Sequence, residues 1–318
     1  MSRSLSVIVP AYNERENIEI LYNETYEVLS KIKRSKIISD FEIIIVNDGS
    51  TDGTDEIIKK LCKRKGSKLV GISLRKNFGQ TAALKAGIDA ARGDLIVTMD
   101  ADLQNDPADI PRLIGKLKEG YDVVSGWRAK RKDPLGKRMA SKIINLLRKK
   151  MIGDEPHDYG GSLKIYEREC LKDLELFGEL HRYVTGYLFI KGYKIGEIKV
   201  NHRPRKFGKT KYKFNRAING LLDLFFLKFW ASFSHRPLHF FGRLGIYQWA
   251  LAVIIVIEQI IKAIYIKKLE LGPLLALASM LVITGLITII FGFLFEVTSR
   301  EYYKDKKIYN VREIIRSK

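Results

Sequence analysis

Two aspartates separated by one residue, Asp100 and Asp102, follow a short apolar run that is typical of a buried β-strand. Side chains at positions i and i+2 of an extended segment project to the same side, so the two carboxylates can meet at one point. Gln104 lies two residues further on and can add a carbonyl oxygen. Such hard oxygen ligands suit Mg²⁺ or Mn²⁺, whose coordination shell is completed by substrate phosphates and water. The pattern therefore predicts a divalent-cation site that serves a phosphorylated substrate.

The strand before Asp100 is one of five apolar runs that alternate with helical segments. Helix-start signals follow two of these runs, STDGT at 50–54 and an Asp-Pro pair at 106–107. Strands that are apolar on both faces and separated by helices indicate a mostly parallel sheet covered on both sides. Ligands of such sheets bind at the carboxyl ends of the strands, where this chain has polar residues. The predicted strands are residues 5–10, 41–48, 68–74, 94–100 and 121–127.

The composition points to an anionic partner. The chain has 318 residues, with 56 Lys and Arg against 36 Asp and Glu, so its net charge is +20. This excess fits nucleic acid, a phospholipid surface or a phosphorylated substrate. The cysteines, Cys62 and Cys170, are too few for a disulfide framework or a thiolate zinc site. The GKT at 208–210 has Arg203 where a P-loop needs glycine, and no GxGxxG follows a strand, which disfavours nucleotide hydrolysis and dinucleotide binding.

A long apolar segment near the end of the chain predicts a membrane span. Residues 271–295 carry no charge, and 25 helical residues can cross a hydrocarbon layer about 30 Å thick. A second span is predicted at 244–266, where Glu258 and Lys262 lie four apart on one helical face and could pair with each other or face the neighbouring helix. The alternative is a buried helical hairpin of a soluble protein. Basic residues are dense after the last span, so the positive-inside rule places both termini and the catalytic domain at the cytoplasmic face.

The segment ahead of the spans mixes apolar and charged residues at helical spacing, which favours helices lying in the membrane interface. A packed core helix is the competing interpretation. The sequence thus predicts four parts: a cytosolic catalytic domain at 1–213, interfacial amphipathic helices at 214–238, a two-helix transmembrane region at 239–297 and a basic cytosolic tail at 298–318.

Two basic segments, 126–131 and 202–212, could hold a phosphate group. Arginine forks match phosphate oxygens, and lysines add point charge. The second segment could instead attract anionic lipid, and both roles can coexist. The candidate ligands of an acceptor phosphate are Arg128, Arg182, Arg203, Arg205, Lys209 and Lys211.

Three motifs in order, SVIVPAYNE (6–14), VNDGSTDGT (46–54) and MDADLQ (99–104), resemble those of family-two glycosyltransferases with the GT-A fold. The resemblance covers residues 4–215 and is strongest to the polyprenyl-phosphate subgroup, which includes dolichyl-phosphate mannose synthases and prenyl-phosphate glucosyltransferases. It implies a Rossmann-like α/β domain that moves a hexose, glucose or mannose, from UDP-glucose or GDP-mannose to dolichyl or undecaprenyl phosphate. It also implies inversion at the anomeric carbon, dependence on Mg²⁺ or Mn²⁺, contact with membrane lipids and a homo-oligomer.

The resemblance also assigns roles to individual residues. Asp102 and Gln104 would hold the metal on the diphosphate. Asp100 would lie near the ribose or sugar, and Asp158, in the segment 157–166, would lie beside the sugar, although a turn-forming aspartate is an equal interpretation. The residues expected at the donor are Pro10, Ala11, Tyr12, Glu14, Asp48, Asp100 and Ala101, and those expected to act in catalysis are Asp100, Asp102, Arg128 and Asp158.

Two other functions are left open by the residues. One is a glycosyltransferase that uses a diacylglycerol or another hydroxyl acceptor and needs a general base. The other is a membrane-anchored nucleic-acid-binding protein, which is disfavoured because the acidic loop at 100–106 would repel phosphates without a metal. The chain lacks the QxxRW motif of processive synthases, so we expect transfer of a single sugar and no nucleic-acid partner.

Overall fold

A seven-stranded sheet carries the first part of the chain. The computed structural model describes residues 2–129, 153, 156–158, 160–172, 174, 180–204, 206, 215–234, 236–266 and 272–303. The chain divides into two units, residues 1–225 and 226–318. Arg205, Lys209, Lys211 and most of the basic tail, all named in the sequence predictions, lie outside the described residues.

The sheet is mixed but mostly parallel, as predicted. Its order is β3-β2-β1-β4-β6-β5-β7, and β6 is antiparallel to its neighbours β4 and β5, whereas the other pairs are parallel. The five predicted strands are confirmed, and β6 and β7 add two that were not predicted. The strands are β1 (Arg3–Ala11), β2 (Ile38–Asn47), β3 (Leu69–Ser73), β4 (Leu95–Thr98), β5 (Val123–Trp127), β6 (Lys164–Glu167) and β7 (Ile195–Lys199).

Helices cover both faces of this sheet, which explains why the central strands β1 and β4 are apolar and buried on both sides. Val7 and Val9 of β1 face a core shared with α1 and α4, whereas Ile8 faces a second core shared with α3 and α6. Local capping fixes where helices begin: Asp106 accepts a hydrogen bond from the Ala108 amide at 3.0 Å, at the short turn that opens α4. The helices are α1 (Arg15–Arg34), α2 (Thr54–Cys62), α3 (Gln80–Ala90), α4 (Ile110–Leu117), α5 (Arg168–Leu171) and α6 (Val184–Ile190).

Long helices follow the sheet domain. They are α7 (Asn215–Phe233), which crosses the boundary between the two units, α8 (Pro237–Ile266) and α9 (Pro273–Tyr303). In α8 and α9 only 11% of the most apolar window is buried, so neither resembles the core helix of a soluble protein. Both are long and apolar enough to span a bilayer, which agrees with the two predicted spans. The location of α7 in the interface and the four domain boundaries stay predictions.

Two features hold α8 and α9 together. Gly245 and Gly285 face each other so closely that a β-carbon on Gly245 would lie 2.7 Å from the Gly285 carbonyl oxygen. Trp249 donates from Nε1 to the carbonyl of Val282 at 3.0 Å. Small residues at a helix contact let the backbones approach, which is the usual way apolar helices pack in lipid. On α8, Lys262 lies 2.6 Å from Glu258, so the two interrupting charges pair with each other.

Candidate active site

The loop after β4 gathers the acidic residues. Asp102 is buried, with 7% of its surface exposed, and its Oδ1 accepts a hydrogen bond from the Gln104 amide at 3.1 Å. Leu103, between them, has a left-handed backbone with φ of 61°, so the chain turns sharply there. This turn brings Asp102 and Gln104 to the same edge of the sheet as Asp100.

Asp100 lies in a polar cluster formed by three elements. Gln80, the first residue of α3, donates from Nε2 to Asp100 Oδ1 at 2.9 Å, and the Ser162 hydroxyl also bonds this carboxylate. Burial, and then repulsion from Asp102, raise the pKa of Asp100 above its usual value, although Ser162, Arg128 and Gln80 oppose the rise. Two carboxylates that repel each other in a buried loop form a site that a cation would stabilise.

The segment after β7 supports this loop from the side. The Arg203 amide donates to the Gln104 carbonyl at 2.9 Å, and Gln104 Nε2 lies 3.4 Å from the Arg203 carbonyl. Asn105 donates from Nδ2 to Ser162 Oγ at 2.7 Å. The Gln104 amide nitrogen therefore points to the backbone, and its oxygen is the atom that would bind a metal.

The donor atoms fit a divalent cation that also binds substrate. Within the described residues there is no group of three or more His, Cys, Asp and Glu side chains that could enclose an ion. The loop instead offers the carboxylates of Asp100 and Asp102 and the Gln104 amide oxygen. Mg²⁺ and similar ions are often held by one or two carboxylates plus substrate phosphates and water, and this loop matches that arrangement.

The loops after β1 and β2 are bonded into one surface beside the acidic loop. The backbone amide of Asn13 donates to Ser50 Oγ at 2.9 Å, and the side-chain Oδ1 of Asn13 accepts from the Thr51 backbone amide at 2.9 Å. The Glu14 amide donates to Thr54 Oγ1 at 3.1 Å. The polar motif at 50–54 therefore fixes the segment 10–14, which the sequence predicts to bind the donor.

Asp48 holds the loop after β3. Its carboxylate is 3% exposed and accepts from the amides of Phe78 at 2.7 Å and Gly79 at 2.9 Å. Gly49 is needed next to it, because a β-carbon there would lie 2.3 Å from the Lys76 backbone. The structure thus gives Asp48 a role in positioning this loop, and its predicted contact with the donor stays a prediction.

Arg128 and Asp158 form a two-pronged ion pair at the carboxyl end of β5. Arg128 Nε lies 2.7 Å from Oδ2, and its Nη2 lies 3.0 Å from Oδ1. The Gly160 amide also donates to Asp158 Oδ1 at 3.1 Å. At Gly161 a β-carbon would lie 2.5 Å from the Gly126 carbonyl oxygen, so only glycine lets this segment approach β5. The pair brings together two residues that the sequence assigned to catalysis.

Arg182 lies in a short 3-10 turn, Leu180–Arg182, that packs against the start of α3. His181 in this turn places its Nδ1 2.7 Å from Thr81 Oγ1. Burial, with added repulsion from Arg182 and Lys164, lowers the pKa of His181 to about 3, so the imidazole is neutral at neutral pH. Arg182 therefore lies in a turn that contacts α3 through His181 and Thr81, and its binding of a phosphate stays a prediction.

Arg203 contacts two carboxylates in this structure. Its Nη1 lies 2.6 Å from Glu24 on α1, and its Nη2 lies 2.8 Å from Asp106 beside the acidic loop. These bonds fix the segment after β7 against the acidic loop. Binding of an acceptor phosphate by Arg203 stays a prediction. The guanidinium would have to bind the phosphate while it is also paired with Glu24 and Asp106.

Several residues around the site were not selected from the sequence. Gln80 follows the Phe-Gly pair after β3, and Ser162 lies inside the segment 157–166, directly after the two glycines at 160–161. Neither residue type is distinctive alone. Their role is visible only because α3 and β6 bring them to Asp100.

Comparison with known proteins places the chain in a family. Residues 6–175 match the model of Glycosyl transferase family 2. The chain is 38% identical over 320 residues to the dodecaprenyl-phosphate galacturonate synthase of Rhizobium johnstonii, with 98% of this chain and 93% of that protein covered. It is 35% identical over 275 residues to the undecaprenyl-phosphate 4-deoxy-4-formamido-L-arabinose transferase of Salmonella choleraesuis, with 85% and 78% covered.

Solved structures share the fold. The glucosyl-3-phosphoglycerate synthase of Mycobacterium tuberculosis, with Mn²⁺, uridine diphosphate and glucosyl-3-phosphoglycerate bound, aligns with a TM-score of 0.53 at 20% identity and covers 72% of this chain and 80% of its own. A mannosyltransferase of Pyrobaculum calidifontis, with GDP-mannose and Mn²⁺ bound, aligns with a TM-score of 0.51 at 18% identity and covers 96% and 76%. The sheet order and these likenesses confirm the predicted GT-A fold. The chain therefore belongs to glycosyl transferase family 2, among relatives that are polyprenyl-phosphate sugar transferases, as its motifs predicted.

Proposed function

We propose that this chain transfers one sugar unit from a nucleotide-diphosphate sugar to a polyprenyl phosphate in the membrane, with inversion at the anomeric carbon. The names of both relatives state a polyprenyl-phosphate acceptor, and each alignment covers most of this chain. A hexose or hexose-derived sugar is the proposed cargo: glucose and mannose are expected from the motifs, and galacturonate from the first relative.

The observation that carries the proposal is a pair of carboxylates, buried Asp102 and half-buried Asp100, at the carboxyl edge of the sheet beside the joined loops after β1 and β2. Asp102 and Gln104 would hold Mg²⁺ or Mn²⁺. When bound there, the ion would act as a Lewis acid on the departing nucleotide diphosphate. The segment 10–14 and Asp48 would bind the nucleoside part of the donor.

The arrangement of Arg128 and Asp158 supports a phosphate acceptor. A phosphate monoester is already an anion, so it needs cations to bring it to a negatively charged donor and does not need a base. A hydroxyl acceptor would need a carboxylate base, and Asp158 is instead engaged by the Arg128 guanidinium. Within the described residues, Arg128, Arg182 and Arg203 are the cations proposed to hold the acceptor phosphate, and Arg205, Lys209 and Lys211, which lie outside them, are proposed from the sequence.

The membrane helices supply the lipid side of the reaction. We infer that α8 and α9 anchor the enzyme and that α7 lies in the interface, where the phosphate head of a polyprenyl lipid meets water. We propose that the catalytic domain faces the cytoplasm, because basic residues are dense after α9 in the sequence and the positive-inside rule favours that orientation. Nucleotide sugars made in the cytoplasm would then reach the site directly.

The test is an acceptor and donor panel with the full chain purified in detergent. Undecaprenyl phosphate, dolichyl phosphate and diacylglycerol are each incubated with UDP-glucose, GDP-mannose and UDP-galacturonate, and the lipids are read by mass spectrometry. We expect a sugar-phosphate lipid from at least one donor, formed only with a prenyl phosphate, lost with chelator and restored by Mg²⁺ or Mn²⁺. Glycosylated diacylglycerol with no product from either prenyl phosphate would overturn the proposal.

A further inference from the structure

Glu197 on β7 binds the backbone of the segment that carries Asp158. Its Oε1 accepts from the amides of His157 at 2.9 Å and Asp158 at 3.0 Å, and its Oε2 lies 2.8 Å from His157 Nδ1. The Glu197 side chain is 12% exposed. The Glu197 carboxylate therefore binds two consecutive backbone amides and an imidazole, all about 40 residues earlier in the sequence.

β7 is the last strand of the sheet and pairs with β5, whose end carries Arg128. The register sets Glu197 beside Ser125 and Lys199 beside Trp127. Trp127 stacks on the His157 ring at 4.5 Å, so the segment is held from the β5 side as well. Glu197 and Trp127 thus contact His157, the residue before Asp158, from two sides.

The contacts continue in a line toward the acidic loop. Glu197 fixes the Asp158 backbone, Asp158 holds the Arg128 guanidinium at two points, and Arg128 in turn acts electrostatically on Asp100. We propose that Glu197 is a positioning residue for sugar transfer, which sets the Asp158 segment so that the Arg128 fork faces the reacting groups. The inference rests on the proposed transfer reaction and adds to it a residue on the edge strand that does not touch substrate.

The chemistry of this contact makes Glu197→Gln a sharp probe. The Glu197 carboxylate gives these amides a charged acceptor, whereas glutamine offers a neutral and weaker one, and its NH₂ group in the Oε2 position would face the His157 backbone amide, which lies 3.1 Å from Oε2. The strand can keep its fold while the 157–158 segment loses its anchor. Hydrogen exchange of the His157 and Asp158 amides in the full chain reads this directly and uses no substrate.

We expect these two amides to exchange at least about tenfold faster in Glu197→Gln, with amides of β1 and β4 unchanged. Transfer should fall about tenfold in kcat, with nucleotide binding close to wild type. If Glu197 acts through Arg128, the Glu197→Gln/Arg128→Lys double variant should lose no more activity than Arg128→Lys alone. His157→Ala should have a smaller effect, because both backbone bonds to Glu197 remain.

Glu169→Gln is the matched control, since Glu169 is exposed on α5 and should change neither exchange nor rate. Unchanged exchange at 157–158 in Glu197→Gln would overturn the inference, and so would additive losses in the double variant. If the wild-type chain transfers no sugar to a prenyl phosphate, the proposed function fails, and the exchange result still decides whether Glu197 anchors the segment.

Discussion

Arg128 meets Asp158 through two parallel hydrogen bonds, 2.7 Å from Nε to Oδ2 and 3.0 Å from Nη2 to Oδ1, with 11% and 8% of the side chains exposed. Away from water, such a fork is rigid, and removal of one partner leaves a buried charge without compensation. The pair lies next to Asp100, so its rigidity matters for the site as well as for folding.

Arg128→Lys should lower transfer at least about tenfold while the chain stays folded. Lysine keeps the positive charge but presents a single ammonium group, so it cannot reproduce the planar fork. Initial rates with saturating donor and varied prenyl phosphate measure the effect. Arg64→Lys is the control, because Arg64 pairs with Glu19 on the surface and its loss should leave the rate unchanged. Equal rates in the two variants would show that the fork has no part in transfer.

Asp102→Asn should reduce transfer about a thousandfold, with the circular dichroism spectrum unchanged. The amide is a much weaker ligand than a carboxylate for a hard cation, so Mn²⁺ should no longer strengthen nucleotide binding. Calorimetric titration of UDP and of GDP, each with and without Mn²⁺, measures this. Asp89→Asn, an exposed residue of α3 paired with Lys85, serves as the control. Retention of the Mn²⁺ effect in Asp102→Asn would remove this residue from the metal site.

The free energy of unfolding of the catalytic domain should fall in acid, because the buried His181 resists protonation in the folded chain. Its pKa is about 3 in the folded chain and about 6.5 when unfolded, so the unfolded chain takes up the proton first. The contribution of a neutral His181 is therefore complete above pH 6.5 and is lost as the pH falls from 6.5 toward 3. The melting temperature of the wild type should drop more steeply over this window than that of His181→Gln. His239→Gln, at an exposed histidine, should keep the wild-type slope.

Gly245→Ala should destabilise the pair formed by α8 and α9. The added methyl group would lie 2.7 Å from the Gly285 carbonyl oxygen and 2.6 Å from Ile289, so the helices would have to separate, at a cost of about 1–3 kcal/mol. Thermal unfolding in detergent and proteolysis measure this cost. Gly242→Ala is the control, because its added methyl would meet Leu238 at 4.0 Å, an ordinary contact. Identical melting curves for the two variants would contradict the close packing at Gly245.

Local patterns were enough for much of the fold. The five strands rich in apolar residues, the cap at Asp106, the pairing of Glu258 with Lys262 and the two apolar helices all depend on neighbours within a few positions. Their physical causes are local, namely side-chain periodicity, helix capping and hydrophobic length, so they can be identified without knowing the tertiary structure. β6 and β7 were not predicted, because their sequences, KIYE and IGEIK, mix apolar with charged residues and lack the continuous apolar run that marks β4.

The site was determined in part by sequence and in part by tertiary structure. The sequence by itself determined the acidic loop, since Asp100, Asp102 and Gln104 are close along the chain, but the extended geometry that the sequence suggested for them is replaced by bends at 101–103 after β4 ends at Thr98. Only the tertiary structure decided which residues surround that loop: Gln80 and Ser162 on Asp100, Asp158 on Arg128, and Glu197 on the backbone of Asp158. These partners are at least 20 residues apart in sequence, and the packing of α3, β5, β6 and β7 brings them together. Their chemistry is ordinary when read one residue at a time, and it becomes specific only because burial removes water and leaves each polar group to be satisfied by another.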